Sequence, residues 1–156
     1  MSELNHLDDE GNVHMVDVGS KAQTVRVAVA ESSVAMDAPT ADRLFSGNLE
    51  KGDALATVRI AAIQATKLTP LLIPLCHPLA LDRVEVVIER TDHGARIEVL
   101  CGVDARTGVE MEAMTGAAVG ALTLYDMIKG IDRGASIASV RLLSKSGGRS
   151  GEWTRE

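Results

Sequence analysis

The sequence predicts an α+β fold in which four antiparallel strands form one sheet with helices on one face. Three observations support this. The elements run strand, helices, strand, strand, helix, strand, which is a split βαβ order. Leu81–Thr91 and Ala95–Asp104 alternate between apolar and polar residues around a short link, as hairpins do. Gly108–Gly130 contains no proline and is long enough for a major helix. The uncovered sheet face would then need a partner chain.

Length and composition indicate one domain spanning residues 1–156, with an aliphatic core. The 156 residues are 46% hydrophobic but only 2% aromatic. The net charge of −6 and the missing aromatic platforms argue against binding to nucleic acid, which needs cations and stacking surfaces. Two cysteines, Cys76 and Cys101, are too few for a disulfide framework.

The localisation expected from the sequence is cytoplasmic, with no contact to a membrane. No stretch reaches the roughly 18 apolar residues of a membrane span. The first six residues lack the basic and apolar regions of a signal peptide.

The first third of the chain predicts an arm, a strand and two helices. Residues 1–20 form a polar N-terminal arm with a turn at residues 8–12. Thr24–Met36 is rich in β-branched residues and reads as a strand. A short helix is expected at Ala41–Phe45, after a proline. A longer one is expected at Asp53–Lys67, with Asp53 as its N-cap and Lys51 in the entering loop.

A loop is predicted in the middle of the chain, and a strand followed by a tail is predicted at the C-terminal end. Prolines at positions 70, 74 and 78 make Thr69–Pro78 a stiff extended segment that carries His77. Ser136–Lys145 is expected to be the last strand. Residues 145–156 form a glycine-rich tail.

The long helix is predicted to bury one stripe and to leave the opposite side small, so that something packs on it. Gly130 is expected as a left-handed cap, and Glu110 as part of a capping box with Thr107. The stripe consists of Met111, Met114, Ala118, Ala121, Leu122, Tyr125 and Ile128, and the small side of Thr115, Gly116, Val119, Gly120 and Thr123.

Asp126 and Lys129 lie three residues apart and can act together on one ligand. Glu112 lies fourteen residues before Asp126, on nearly the same helix face but about 21 Å away along the axis. One small substrate cannot touch both ends from a single chain. If both ends serve one site, that site must be shared between chains.

Each of these motifs also has a purely structural interpretation. His77 can bind an anion or shuttle protons, but a structurally bonded loop histidine is the commoner case. Asp126 with Lys129 is an acid/base pair or a solvated salt bridge. Residues 145–149, Lys-Ser-Gly-Gly-Arg, form a phosphate cradle or a flexible tail. In a chain this acidic, a polyphosphate site requires Lys51, Lys67, Lys129, Lys145 and Arg149 to converge.

Five strings together resemble the molybdenum cofactor biosynthesis protein C family, the cyclic pyranopterin monophosphate synthases. They span residues 14–18 (HMVDV), 72–79 (LIPLCHPL), 107–113 (TGVEMEA), 124–127 (LYDM) and 145–151 (KSGGRSG). The likeness runs in order from about residue 12 to the end.

The resemblance implies a lyase that converts 3′,8-cyclo-7,8-dihydroguanosine 5′-triphosphate into cyclic pyranopterin monophosphate and releases pyrophosphate. It also implies a ferredoxin-like fold, a homohexamer built as a trimer of dimers, and no metal or redox cofactor. By the same resemblance Asp126 is the catalytic acid/base and is assisted by Lys51 and Lys129. The residues implied to bind substrate are Leu75, Cys76, His77, Met111, Glu112 and Lys145.

The sequence departs from the family pattern at three positions. Leu68 and Leu71 stand where basic and polar residues are expected, and Arg149 replaces a lysine. Arginine keeps the charge but presents a planar fork and does not give up its proton readily, so the substitution argues against a proton-donating role for residue 149.

Two rival classes are a non-catalytic nucleotide-binding subunit and a nucleic-acid-binding module. A degenerate subunit would lack Lys51, His77, Asp126 or Lys129, and all four are present. A shared site predicts that inactive Lys51→Ala and Asp126→Ala chains recover activity when mixed.

Overall fold

A computed structural model describes residues 7–8 and 10–156. Residues 1–6 and 9, which include part of the predicted arm and turn, lie outside the described residues. The helices are α1 (Ala38–Phe45), α2 (Ala54–Lys67), α3 (Thr69–Leu72) and α4 (Glu110–Ile128). The strands are β1 (Thr24–Ala35), β2 (Arg83–Thr91), β3 (Gly94–Ala105), β4 (Ser136–Ser146) and β5 (Trp153–Thr154).

The strands form one antiparallel sheet in the order β2-β3-β1-β4-β5, so the α+β prediction is confirmed. The prediction of four strands is wrong by one. The tail turns back through residues 147–151, where three glycines have positive φ, and β5 pairs with the free edge of β4. Arg155 completes this pairing, because its backbone N–H donates to the Leu143 carbonyl oxygen at 2.7 Å. A two-residue strand has too little periodicity to be recognised in a sequence.

The core lies between one face of the sheet and the pair α2 and α4. Ala30, Val99 and Val86 are cross-strand neighbours and point to this face. The hydroxyl of Ser32 on β1 donates to the Ala117 carbonyl oxygen of α4 at 2.8 Å, which ties this helix to the sheet. Within the described part of the chain, none of the helices combines the length and the apolar character needed to cross a membrane.

The buried stripe predicted for α4 is correct in part. Ala121 and Ile128 are fully buried, but Met111 is 39% and Leu122 58% exposed. The prediction that something packs on the small side is correct. A Cβ at Gly116 would lie 2.7 Å from Thr66 and 3.1 Å from Val99. The close approach of α2 and the sheet therefore buries the small residues. The prediction assumed that large apolar side chains mark the buried face. A helix that packs closely against a neighbour buries small side chains instead.

The helix ends match the predictions in part. Asp53 is the N-cap of α2, as predicted, and its carboxylate accepts from the Ala56 N–H at 2.9 Å. At α4 the predicted caps are wrong. Val109 occupies the N-cap position without a side-chain hydrogen bond, and Gly130 does not have positive φ. Glu110 forms no capping box with Thr107, because its carboxylate pairs with Lys145.

The proline segment is partly helical. Thr69–Leu72 forms α3, with Pro70 in its first turn, where a missing N–H costs nothing. A turn follows at residues 74–75, and residues 76–81 have no regular secondary structure. The prediction of an extended loop from residue 69 is therefore wrong for its first four residues.

Candidate active site

A cluster of three charged side chains forms at the C-terminal end of α4. Lys129 Nζ lies 2.7 Å from Asp126 Oδ1, and Lys51 Nζ lies 3.2 Å from Asp126 Oδ2. The Lys51 ammonium also donates to the Asp126 backbone oxygen at 2.6 Å. All three side chains are about half exposed, between 45% and 56%. We call Lys51, Asp126 and Lys129 the charged cluster.

Local structure places these three groups. The chain enters α2 through a tight turn at Gly52, whose φ of 94° suits glycine, and the Asp53 cap follows directly. Lys51 is thereby held at the start of α2, beside the last turn of α4. Both ammonium groups lower the pKa of Asp126, and the hydrogen bond from Lys129 has the larger effect. Asp126 in turn raises the pKa of Lys129. The cluster therefore offers an ionised carboxylate held between two cations.

A cavity of about 460 Å³ lies at the opposite end of α4. Five of the predicted substrate-binding residues line it: Leu75, Cys76, His77, Met111 and Glu112. We call this the helix-start cavity. Its other lining residues are Val16, Val18, Lys21, Ile73, Leu79, Thr107, Gly108 and Glu110.

Glu112 is the most buried charged residue of this cavity, with 3% of its surface exposed. Burial raises its pKa to about 7, and the neighbouring charge of Glu110 adds to the shift. Cys76 is half-buried, and burial, with a further contribution from Glu112, raises the pKa of its thiol. The helix-start cavity thus carries a carboxyl group that can exchange a proton near neutral pH.

A cleft of about 660 Å³ adjoins this cavity and shares Lys21, Thr107, Gly108 and Glu110 with it. We call it the basic cleft, because Lys21, Arg26, Arg106, Lys145 and Arg149 line it. The glycine turn after β4 fits closely against β1. A Cβ at Gly147 would overlap the Val25 carbonyl oxygen, and one at Gly148 would overlap the Arg26 guanidinium. Residues 145–149, predicted to be a phosphate cradle or a flexible tail, thus lead from β4 into a folded turn, and phosphate binding there stays a prediction.

The single chain does not bring all predicted site residues together. Asp126, Lys51 and Lys129 meet at one end of α4, and the six substrate-binding residues lie around its other end. Glu112 and Asp126 are fourteen residues apart, or about 21 Å along the helix. The predicted convergence of five cations is therefore not formed within the chain. Lys67 faces a separate surface groove with Leu81 and Arg83.

The expected recovery of activity from mixed Lys51→Ala and Asp126→Ala chains conflicts with this geometry. Both residues belong to the same cluster of the same chain. A mixture of the two variants contains no chain with an intact cluster. A test of a shared site must mix two variant chains, one with a substitution at the start of α4 and the other with a substitution at its end.

The sequence prediction missed Lys21, Arg26 and Arg106 as parts of the basic cleft. Arg26 lies on β1, and its guanidinium donates to the carbonyl oxygens of Ala105 and Arg106 at 2.9 and 3.2 Å. No spacing rule pairs Arg26 with a turn more than a hundred residues later in the chain. Only the position of β1 between β3 and β4 brings them together.

Comparison with known proteins identifies the family. Residues 15–148 match the model of the MoaC family. The chain is 51% identical over 154 residues to the cyclic pyranopterin monophosphate synthase of Corynebacterium efficiens, covering 99% of both chains. The chain belongs to the MoaC family. The sequence-based assignment to the molybdenum cofactor biosynthesis protein C family is thereby confirmed.

A second relative is also similar over nearly its whole length. The cyclic pyranopterin monophosphate synthase of Thermomicrobium roseum is 49% identical over 158 residues, covering 100% of this chain and 95% of that protein. The MoaC family match includes both ends of α4 and Lys145. It stops before Arg149 and β5, which only the full-length relatives cover.

Proposed function

We propose that this chain is a cyclic pyranopterin monophosphate synthase that acts in molybdenum cofactor biosynthesis. As a phosphorus–oxygen lyase it would convert 3′,8-cyclo-7,8-dihydroguanosine 5′-triphosphate into cyclic pyranopterin monophosphate and pyrophosphate. Relatives with this name align over nearly the whole chain at about half identity. The reaction consists of proton transfers and a phosphoryl displacement, which acid/base groups and cations promote.

The charged cluster is the observation that carries the proposal. Both ammonium groups contact one carboxylate, so Asp126 stays ionised and can accept a proton. The pKa of Lys129 is raised, so its ammonium stays protonated and can stabilise developing negative charge on a phosphoryl oxygen. We assign Asp126 as the catalytic acid/base and Lys51 and Lys129 as its assistants.

The helix-start cavity would hold the purine-derived part of the substrate. Leu75 and Met111 supply apolar contacts, while His77, Cys76 and Glu112 supply polar atoms at its wall. Lys145, in the adjoining basic cleft, would take a phosphate group. A triphosphate could extend from the cavity into the cleft, because the two share a wall.

We infer that each complete site combines the charged cluster of one chain with the helix-start cavity of another. The axial distance of about 21 Å between Glu112 and Asp126 exceeds the reach of one small substrate. Association of chains removes the conflict, since the end of one helix can face the start of another. A homohexamer built as a trimer of dimers would satisfy this requirement.

We further infer a ferredoxin-like core from the strand order. Without β5, the order β2-β3-β1-β4 agrees with a split βαβ unit, in which the hairpin partner β3 lies beside β1. From the family resemblance we propose that neither a metal nor a redox cofactor takes part. For the redox cofactor the chemistry agrees, because the reaction requires no hydride acceptor.

The test is to incubate the purified protein with the cyclised triphosphate and to measure the pterin product and pyrophosphate. We expect the two products in equal amounts. Lys51→Met should reduce both by at least about a hundredfold, because it removes a cation from the cluster. Glu50→Gln is the matched control, since Glu50 is exposed and adjacent in sequence. Absence of both products from the wild-type reaction would refute the proposed function.

A further inference from the structure

Glu110 lies in the wall between the helix-start cavity and the basic cleft and lines both. Its Oε1 atom lies 2.9 Å from Lys145 Nζ, and the two side chains are only 28% and 29% exposed. Lys145 Nζ also donates to the Ser150 hydroxyl at 3.1 Å. Two partners on different segments therefore hold the lysine in the basic cleft, beside the wall that Glu110 shares with the helix-start cavity.

Gly108 provides an independent observation on the same pair. A Cβ at this position would overlap the Glu110 carboxylate, and its carboxyl carbon would be only 2.7 Å away. Gly108 does not have positive φ, so its backbone conformation does not demand glycine. The missing side chain instead makes room for Glu110 to fold back toward Lys145.

A simpler role for Glu110 would be to stabilise the start of α4. A carboxylate at the first helical residue interacts favourably with the helix dipole whatever its side-chain partner. That role needs neither Lys145 nor an open space over Gly108. The carboxylate forms no hydrogen bond to a backbone N–H of the first turn among the described residues, and its ion partner comes from β4.

We propose that Glu110 is a positioning residue that holds the Lys145 ammonium where a phosphate group of the substrate passes from the helix-start cavity into the basic cleft. Glu110 acts through Lys145 and does not itself contact an anion, which its negative charge would repel. This inference rests on the proposed function for the identity of the substrate, but the geometry of the pair can be tested without turnover.

The experiment is a double-mutant cycle on the full chain, with inorganic pyrophosphate as the probe and calorimetry as the readout. Lys145→Met should weaken pyrophosphate binding about tenfold in the wild-type background, as expected for loss of a charge-assisted contact. In the Glu110→Gln background the same change should cost less than twofold, because the lysine is no longer held in place. Equal losses in both backgrounds, or no loss in either, would overturn the proposal.

Gly108→Ala gives a second route to the same question. The added methyl group should displace the Glu110 carboxylate and reproduce the effect of Glu110→Gln on pyrophosphate binding. In a chain that already carries Glu110→Ala, it should change nothing further. Unaltered binding by the single Gly108→Ala variant would contradict the positioning role. Glu85→Gln is the control, because it breaks an exposed 2.6 Å pair with Arg83 outside both cavities.

Kinetics separate this role from simple helix stabilisation. Glu110→Gln should raise the KM for the cyclised triphosphate about tenfold and keep kcat within twofold, since a lost phosphate contact weakens binding in ground and transition states alike. A lower melting temperature with unchanged KM would favour the helix-dipole role and refute positioning. If the double-mutant cycle showed the coupling but the wild-type protein formed no pterin, the proposed function would fail and the Glu110 inference would stand.

Discussion

The two ends of α4 carry carboxylates in opposite environments. Asp126 at the C-terminal end is 56% exposed and lies between two ammonium groups, which lower its pKa. Glu112 at the N-terminal end is buried and forms no side-chain ion pair among the described residues, and burial raises its pKa to about 7. One helix thus presents a carboxylate that is ionised at neutral pH at one end and a carboxyl group whose pKa is raised to about 7 at the other. Two such groups are suited to different proton-transfer steps.

The largest effect on activity is expected from substitution of Asp126, at the C-terminal end of α4. Asp126→Asn should lower kcat by about a thousandfold or more, because the amide keeps the shape of the side chain but cannot accept a proton. The size of the assembly, measured by light scattering, should not change. Glu50→Gln should retain full activity. Turnover within tenfold of wild type in the Asp126→Asn chain would contradict the catalytic role.

The second prediction tests whether the two ends belong to one site. Asp126→Ala and Glu112→Ala chains, each inactive alone, should recover up to about a quarter of wild-type activity after mixing and subunit exchange, because one site in four then has two intact halves. Asp126→Ala mixed with Lys51→Ala is the negative control and should recover nothing. Mass spectrometry of labelled chains would verify exchange. Exchange without recovery in the first mixture would exclude a shared site.

These two predictions show what the sequence could and could not provide. The sequence was sufficient to predict α4 and the charged residues at its two ends. Helix geometry then gives which residues are neighbours and how far apart the two ends lie. The proximity of Lys51 to Asp126 came only through the family resemblance, since the two are 75 residues apart. The basic cleft was largely missed, because Arg26 and Arg106 reach it through strand pairing rather than through any local pattern.

The third prediction concerns pH. The pKa of Glu112 is higher in the folded chain than its ordinary value of 4.5, so folding favours the protonated form. Its stabilising contribution is fully present below about pH 4.5 and is lost as pH rises through about 7. The unfolding free energy of the wild-type chain should therefore fall between about pH 4.5 and 7. In the Glu112→Gln chain this fall should be smaller by about 1 to 3 kcal/mol.

Urea denaturation at pH 5 and pH 8 would measure this difference in both chains. Asp126 supplies the contrast, because its lowered pKa makes its contribution present at neutral pH and lost on acidification. Asp126→Asn should leave the change in stability between pH 5 and pH 8 as in wild type. A Glu112→Gln chain with the wild-type pH dependence would show that Glu112 does not titrate in this range.

The smallest effect is predicted for substitution of glycines in the middle of α4. Gly116→Ala should destabilise the chain by about 1 to 2 kcal/mol, because the new methyl group would press on Thr66, Val99 and the Ala62 carbonyl oxygen. Gly120→Ala is the matched control. Its Cβ would lie no closer than 3.3 Å to Ile97, so a gain in helix propensity of up to about 1 kcal/mol should offset the crowding.

Thermal unfolding of both glycine variants would measure the difference. Equal stability of the two variants would show that the contact at Gly116 relaxes without cost.

The tight fit at Gly116 and Gly120 also has a consequence for the geometry of proton transfer. Because α2 and α4 touch through backbone and small side chains, they should move as one rigid body. Lys51 precedes α2, while Asp126 and Lys129 end α4, so the spacing of the three charges depends on how these helices are aligned. We therefore expect side-chain volume between the two helices to alter the spacing of the charged cluster, and with it the rate of any proton transfer by Asp126, without a change to the three charged side chains.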